Sequence, residues 1–382
     1  MERIKDKTLL LLSLVGVASL LFMPIITYKP NRISQGFQYR SIEYLGGSVI
    51  LIVVLWAILI GLSFYAKNKK NLLVFITSLV LFIGLFWTIQ VNAKDYIESS
   101  AARISLSSGF YIQMFLMYML FSTYTEKIKG YRILKILGFS TIALVLGFLF
   151  LQGSFDDFSI IKEFYSKKSQ FFNNLRIHAI LTFSSVITGS LIAIPLGFLA
   201  YSKKNLEGKI MIPLSIIETI PSLSLFAIFL VPLSGLGKLG FFNAIGVSGI
   251  GWAPAYLALT LYTLLPIGRN TLTGFYSVDR NIVQAAKGMG MSKSQVLGKI
   301  ELPLAFPVIF TGIRIAFIQT IGGAVLAGLV GGGGMGTFVF LGLGEASPDL
   351  ILLGVLPIVF FTIILDYLLK AFEKTMRRVI YD

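Results

Sequence analysis

Three ionisable side chains, Glu218, Arg314 and Asp366, sit inside long apolar runs. Holding a charge at bilayer depth costs roughly 2.5–3.5 kcal/mol on insertion scales, so such groups face a partner or a water-filled path. At ~1.5 Å of rise per helical residue, Glu218 lies ~12 Å and Arg314 ~18 Å from the starts of their runs. Both are expected to face the protein interior. Two arrangements fit: a pair across a translocation path, or a structural ion pair set away from it. Asp366 falls near the end of the last run and reads as interfacial. Other chemistry is sparsely provided for. The chain has no cysteine, which excludes disulfides and thiolate metal sites, and its one histidine, His178, leaves little scope for a histidine metal site or proton relay. No metal or tightly bound cofactor is implied. The phosphate-loop pattern G-x-x-x-x-G-K followed by Ser or Thr does not occur. The string GGGGMG, residues 331–336, satisfies the dinucleotide pattern but lacks the strand and the βαβ unit that would make it a site. These glycines close an apolar run instead, either as a flexible turn or as a close-packed external gate containing Gly332 and Gly333.

The elements that position these residues are long and apolar. Hydrophobic residues make up 55% of the chain, mean hydropathy is +0.82 and only 13% of residues are charged. That excess marks a polytopic membrane protein. Apolar runs lie at approximately 8–27, 45–66, 71–91, 107–125, 133–152, 177–201, 210–233, 252–268, 302–330 and 350–369. Each is near or above the ~17–25 residues a bilayer crossing needs. The expected fold is therefore an all-α polytopic membrane protein of about ten transmembrane helices, with the N- and C-termini cytoplasmic. With that orientation, 22 Lys and Arg residues fall on the inner side and 10 on the outer, with Arg314 inside a run. This bias follows the positive-inside rule, so the net charge of +15 reflects topology and not a nucleic-acid surface. Arg3, Lys5 and Lys7 before the first run resemble a signal peptide. Thr8 to Thr27 is long for a signal core, however, and no small-x-small site closes it, so a retained helix is expected. Pro195, Pro221, Pro266 and Pro307 are candidate hinges, because proline removes an intrahelical hydrogen bond.

One polar, basic, helix-prone stretch interrupts the apolar pattern: QAAKGMGMSKSQVLGKIELP, residues 284–303. Ala285 and Ala286 permit close helix approach, Gly290 lets the chain turn between two short helices, and Pro303 suits the first turn of the next helix. The spacing Gln284-Ala285-Ala286, Gly290, Ile300, Leu302-Pro303 resembles the EAA loop of ABC importer permeases, the cytoplasmic helix pair that docks into a separate ATPase. Gln284 stands where that family has glutamate; it keeps the length and the hydrogen-bonding ability. Further strings, 218–223 (ETIPSL), 261–267 (LYTLLPI), 269–271 (RNT) and the glycines 332–336, resemble the osmoprotectant branch, whose members import quaternary amines such as glycine betaine, choline or carnitine.

The resemblance covers residues 171–382 and implies a type I importer permease core with a cytoplasmic coupling loop at 280–303. Residues 1–170 read as an N-terminal five-helix membrane extension. It further implies a bacterial cytoplasmic-membrane subunit that performs no catalysis. The implied partners are an ATP-binding subunit, an extracytoplasmic solute-binding protein, a second permease copy or paralogue, and membrane lipid, with no nucleic acid. Glu218, Pro221, Arg314, Gly332 and Gly333 are the path or gate candidates. No polar segment within the chain is long enough to hold an ATPase or a receptor domain. The alternative is a stand-alone secondary transporter or channel driven by an ion gradient; such proteins often show two related halves, and no repeat relates 1–170 to 171–382. Trp252, Tyr256 and Tyr262 are aromatic candidates for a cationic solute, although Tyr256 and Tyr262 are six apart and do not share a helical face.

Overall fold

The computed structural model describes residues 5–32, 34–65, 69–97, 99–128 and 130–381. Arg3, Lys67 and Lys129, counted above, lie outside the described residues. The chain divides into two compact units, Met1–Ser166 and Lys167–Asp382.

The first unit holds helices α1 (Lys7–Phe22), α2 (Val49–Ser63), α3 (Lys70–Tyr96), α4 (Ser108–Thr125) and α5 (Tyr131–Leu151). Leu20, Ile52, Trp56, Leu81 and Leu116 form the centre of its core. The Trp56 ring lies directly on Gly16, where a Cβ would come within 2.5 Å of it. Inside this core Gln113 is fully buried. Its Oε1 accepts from Trp56 Nε1 at 2.8 Å, and its Nε2 donates to the Gly16 carbonyl at 2.6 Å and to Ser19 Oγ at 2.8 Å. One side chain thus joins α1, α2 and α4. Replacing it by leucine strands the Trp56 N–H and should cost about 1–3 kcal/mol. The expected result for Gln113→Leu is a lower thermal unfolding midpoint in detergent; an unchanged midpoint would show the network to be dispensable. At the other end of α1, Asp6 caps the helix through Leu9 N and binds Lys70 Nζ at 2.5 Å and the Tyr124 hydroxyl at 2.7 Å. Burial alone would raise its pKa, but these partners together hold the carboxyl below the usual range.

Two expectations are corrected here. Helix α1 stops at Phe22 and does not run on to Thr27, because Met23 precedes a proline and is extended. The β-branched residues after it form β1 (Pro24–Lys29). With β2 (Phe37–Arg40) and β3 (Arg103–Leu106) it makes an antiparallel sheet in the order β2-β1-β3, Thr27 lying opposite Gln38 on one side and Ser105 on the other. The protein is mostly helical, not all-α.

The second unit holds α6 (Lys168–Ser202), α7 (Lys204–Thr219), α8 (Ser222–Leu236), α9 (Trp252–Tyr276), α10 (Arg280–Gly288), α11 (Lys293–Val296), α12 (Leu302–Gly323), α13 (Gly336–Gly344) and α14 (Pro348–Tyr381). Helix α9 is enclosed, with 16 of its 25 residues buried, and packs against α6 and α12. Small residues bring the backbones close. A Cβ on Gly189 would collide with Thr263, and one on Gly312 would lie 2.8 Å from the Pro266 carbonyl. Pro195, Pro266 and Pro307 lie inside continuous helices. Only Pro221 stands at a break: α7 and α8 meet at 102°. Ile220 is extended there, as a residue before proline prefers, and the Tyr262 hydroxyl donates to its freed carbonyl.

Among the described residues, six helices are long and apolar enough to cross a membrane, or up to seven if the bent pair α7–α8 is one span. The three runs of the expected ten that fall short form α1, α4 and α9. For α9 the reason is enclosure: a helix ringed by other helices needs little lipid-facing surface, and so carries Thr260, Thr263 and Thr271. Helix α4 exposes Phe115 and Tyr118 but is diluted by polar side chains, among them the buried Gln113.

Candidate functional site

The polar stretch at 280–303 folds as a helical hairpin whose every turn has a local cause. Asp279 caps α10 by accepting from Asn281 N at 2.8 Å. The helix ends in a paired closing turn, with Gly290 N donating to the Lys287 carbonyl at 3.0 Å and Met291 N to the Ala286 carbonyl at 3.2 Å. Gly290 has φ +85°, the left-handed conformation that this turn requires. Ser292 then opens α11 in a reciprocal cap with Gln295: Gln295 N donates to Ser292 Oγ at 3.3 Å, and Ser292 N to Gln295 Oε1 at 2.8 Å. A π turn, Leu297–Glu301, leads into α12, with Pro303 in its first turn.

The hairpin has an inner and an outer face. Ala286 and Val296 are buried, and Val283 and Leu297 pack against Phe275, Val278 and Ile309. Gln284, Ala285, Gly290 and Leu302 are exposed, and Ile300 and Pro303 are half-buried. Ile282 and Met289, which the motif does not include, also point outward, 45% and 76% exposed. Apolar side chains this exposed on a short amphipathic helix call for a partner surface.

A polar groove of about 710 Å³ lies beside the hairpin, lined by Tyr201, Lys204, Glu207, Arg280, Gln284 and Glu301 among others. Tyr201 donates to Glu301 Oε1 at 3.0 Å, Tyr276 donates to Glu207 Oε2 at 2.8 Å, and the Tyr201 ring stacks on Phe275 at 5.1 Å. Glu301 thus adds a hydrogen bond to the apolar packing of Val283 and Leu297 that ties the loop to the end of α6. The motif letters pass over it, yet it is the only acidic residue between 280 and 344.

The path and gate candidates do not gather in one place. Glu218 and Pro221 are both exposed at the α7–α8 bend. Arg314 does not pair with Glu218: its Nε lies 2.9 Å from Asp366 Oδ1 and its Nη1 3.0 Å from Glu373 Oε2, both on α14. The foreseen pairing with Glu218 is replaced by an ion pair within the α12–α14 contact. Gly332 is buried and Gly333 half-buried at a third location, where Gly251 N donates to the Val330 carbonyl at 2.7 Å. Trp252 and Tyr256 line the cavity there, whereas Tyr262 is engaged at the bend.

Among the described residues, long apolar helices packed about an enclosed central helix and interrupted by a capped basic hairpin mark a multi-pass membrane protein. Residues 185–378 match the binding-protein-dependent transport system inner membrane component family, and the chain belongs to it. Residues 5–161 match a family described as the N-terminal domain of the ABC transporter permease YehY. The chain is 39% identical to the choline transport system permease protein OpuBB of Bacillus subtilis, over 52% of this chain and 85% of that one. It is 37% identical to the glycine betaine/carnitine/choline permease protein OpuCB of the same organism, over 52% and 84%. It is also 37% identical to the osmoprotectant import permease protein OsmW of Salmonella typhimurium, over 49% and 82%.

Proposed function

We propose that this chain is the membrane-spanning permease of an ATP-driven importer of quaternary-amine osmoprotectants in a bacterial cytoplasmic membrane. The observation that carries the reading is the hairpin at 280–303, a rigidly capped helix pair with Ile282 and Met289 turned outward. A stand-alone transporter has no use for such a surface, whereas an ATPase subunit needs one to grip. In this reading Gln284, Ala285, Ala286, Gly290, Ile300, Leu302 and Pro303 form the coupling loop, and Glu301 passes its displacement to α6. ATP hydrolysis belongs to the partner, and solute is delivered by an extracytoplasmic binding protein. A second permease copy covers the apolar side of α7 and α8, where Ile212, Ile216, Leu223, Ile228 and Val231 are exposed, and Glu218 and Pro221 then border the shared path. Residues 171–382 act as the permease core and residues 1–170 as an assembly or regulatory extension.

Reconstitution tests this directly. Vesicles holding the permease with its ATPase should take up labelled choline or glycine betaine when binding protein and ATP are supplied. Uptake should persist when ionophores collapse the ion gradients. Uptake that survives without ATP and disappears with the gradient would replace this reading with a secondary transporter.

A further inference from the structure

Beyond the coupling loop, the second unit contains a cavity of about 740 Å³ with an unusual lining. Ile177, Leu181 and Ser184 of α6 form one wall, Trp252 and Tyr256 of α9 a second, and the backbone of Gly331–Gly333 a third. No charged side chain is among the lining residues. Trp252 and Tyr256 are one helical turn apart, so both rings reach the same space; their centroids are 6.1 Å apart and their planes inclined at 54°. The rings form an open V. Tyr256 is fixed in place by a hydrogen bond of 2.7 Å between its hydroxyl and Thr188 Oγ1. Opposite them the glycines keep the cavity clear. A Cβ on Gly333 would press on Ile177 at 3.2 Å, and the positive φ of Gly331 and Gly333 disfavours any side chain there.

We propose that this cavity is a permease-borne binding site for a quaternary ammonium group, with Trp252 and Tyr256 as its cation-binding faces. An apolar cation cannot be recognised by hydrogen bonds, and a carboxylate in the wall would favour small hydrated ions equally. Aromatic faces in an otherwise uncharged apolar cavity select a cation by its low hydration. The volume is within the range of small-molecule sites, roughly 300–1,000 Å³. The site gives the solute a contact on the permease itself, separate from its contacts on a binding protein. The inference rests on the osmoprotectant reading for its choice of solute.

The test is equilibrium binding of labelled choline to the purified full-length permease with no binding protein present. Tetramethylammonium and the uncharged tert-butyl analogue of choline serve as competitors. Saturable binding is expected, displaced by tetramethylammonium and not by the uncharged analogue. Trp252→Ala and Tyr256→Ala should each weaken it about tenfold, while Trp252→Phe and Tyr256→Phe, which keep an aromatic face, should retain most of it. No binding to folded wild-type chain overturns the proposal. So does equal displacement by the uncharged analogue, or unchanged affinity in folded Trp252→Ala. Uptake by the complete transporter is measured in parallel. Choline import without binding to the permease sinks this site alone, whereas import of no quaternary amine sinks the functional reading.

Discussion

Replacing Gly290 by alanine should cut ATP-driven uptake by roughly 5–30-fold, with the permease still folded and present in the membrane. The size follows from the backbone. Gly290 sits at φ +85°, and nothing lies within 4 Å of where its Cβ would be, so alanine meets no clash. The whole penalty is conformational, about 1–2 kcal/mol for an L-residue held in the left-handed region. A difference of that size changes a population by a factor of roughly 5–30. The state lost is the paired closing turn, with its bonds from Gly290 N to Lys287 and from Met291 N to Ala286. Once it opens, α10 no longer presents Ile282 and Met289 at a fixed angle to α11. A series separates this from a simple packing effect. Asparagine tolerates the left-handed conformation and should retain more uptake than alanine, while valine, β-branched, should retain less. Uptake per folded permease and the amount of co-purified ATPase should fall in the order Gly, Asn, Ala, Val. Equal activity across the series would mean that the turn plays no part in coupling.

The reason this loop could be read from sequence is that its determinants are local. Gly290 alone marks the turn between two short helices, and the caps that the structure adds, Asp279 and the Ser292–Gln295 pair, also act within a few residues. The ion pairing of Arg314 is the opposite case. Its partners lie 52 and 59 residues away, and composition offers no way to choose between Glu218, Asp366 and Glu373. Glu373 lies beyond the apolar run that ends near 369, yet α14 continues as one helix to Tyr381 and carries it alongside α12. The sheet was hidden for a related reason. Its strands are only four to six residues long and come from separate loops, too short for a period to register. The aromatic cavity is an intermediate case. The spacing of Trp252 and Tyr256 puts them on one helical face, but the glycine wall opposite comes from a segment some 75 residues on, through a backbone bridge between Gly251 and Gly331.

Arg314→Gln is the substitution expected to damage the protein most, through folding and not through loss of a path residue. The guanidinium bridges Asp366 and Glu373, and Glu373 also accepts from the Thr311 hydroxyl at 3.0 Å. Lys370 and Arg377 touch the same carboxylates from the outer side, but they are 56% and 53% exposed, against 22% for Arg314. Arg314 is thus the most buried cation of the group. Without it the two carboxylates at the α12–α14 contact keep only their exposed cationic partners, Lys370 and Arg377. Breaking a fully buried pair costs about 3–5 kcal/mol, and partial exposure with a remaining partner puts this site at or below the lower end of that range. The predicted signs are a much reduced yield of folded permease and a lower thermal midpoint. Removing all three charges together, as Arg314→Met with Asp366→Asn and Glu373→Gln, should recover most of both, because the charges left without these partners, Lys370 and Arg377, are more than half exposed. Uptake by that triple variant then identifies the role of the cluster. Near-normal transport is expected from an ion cluster that only fastens α12 to α14, whereas a folded but inactive triple variant would move Arg314 back into the translocation path.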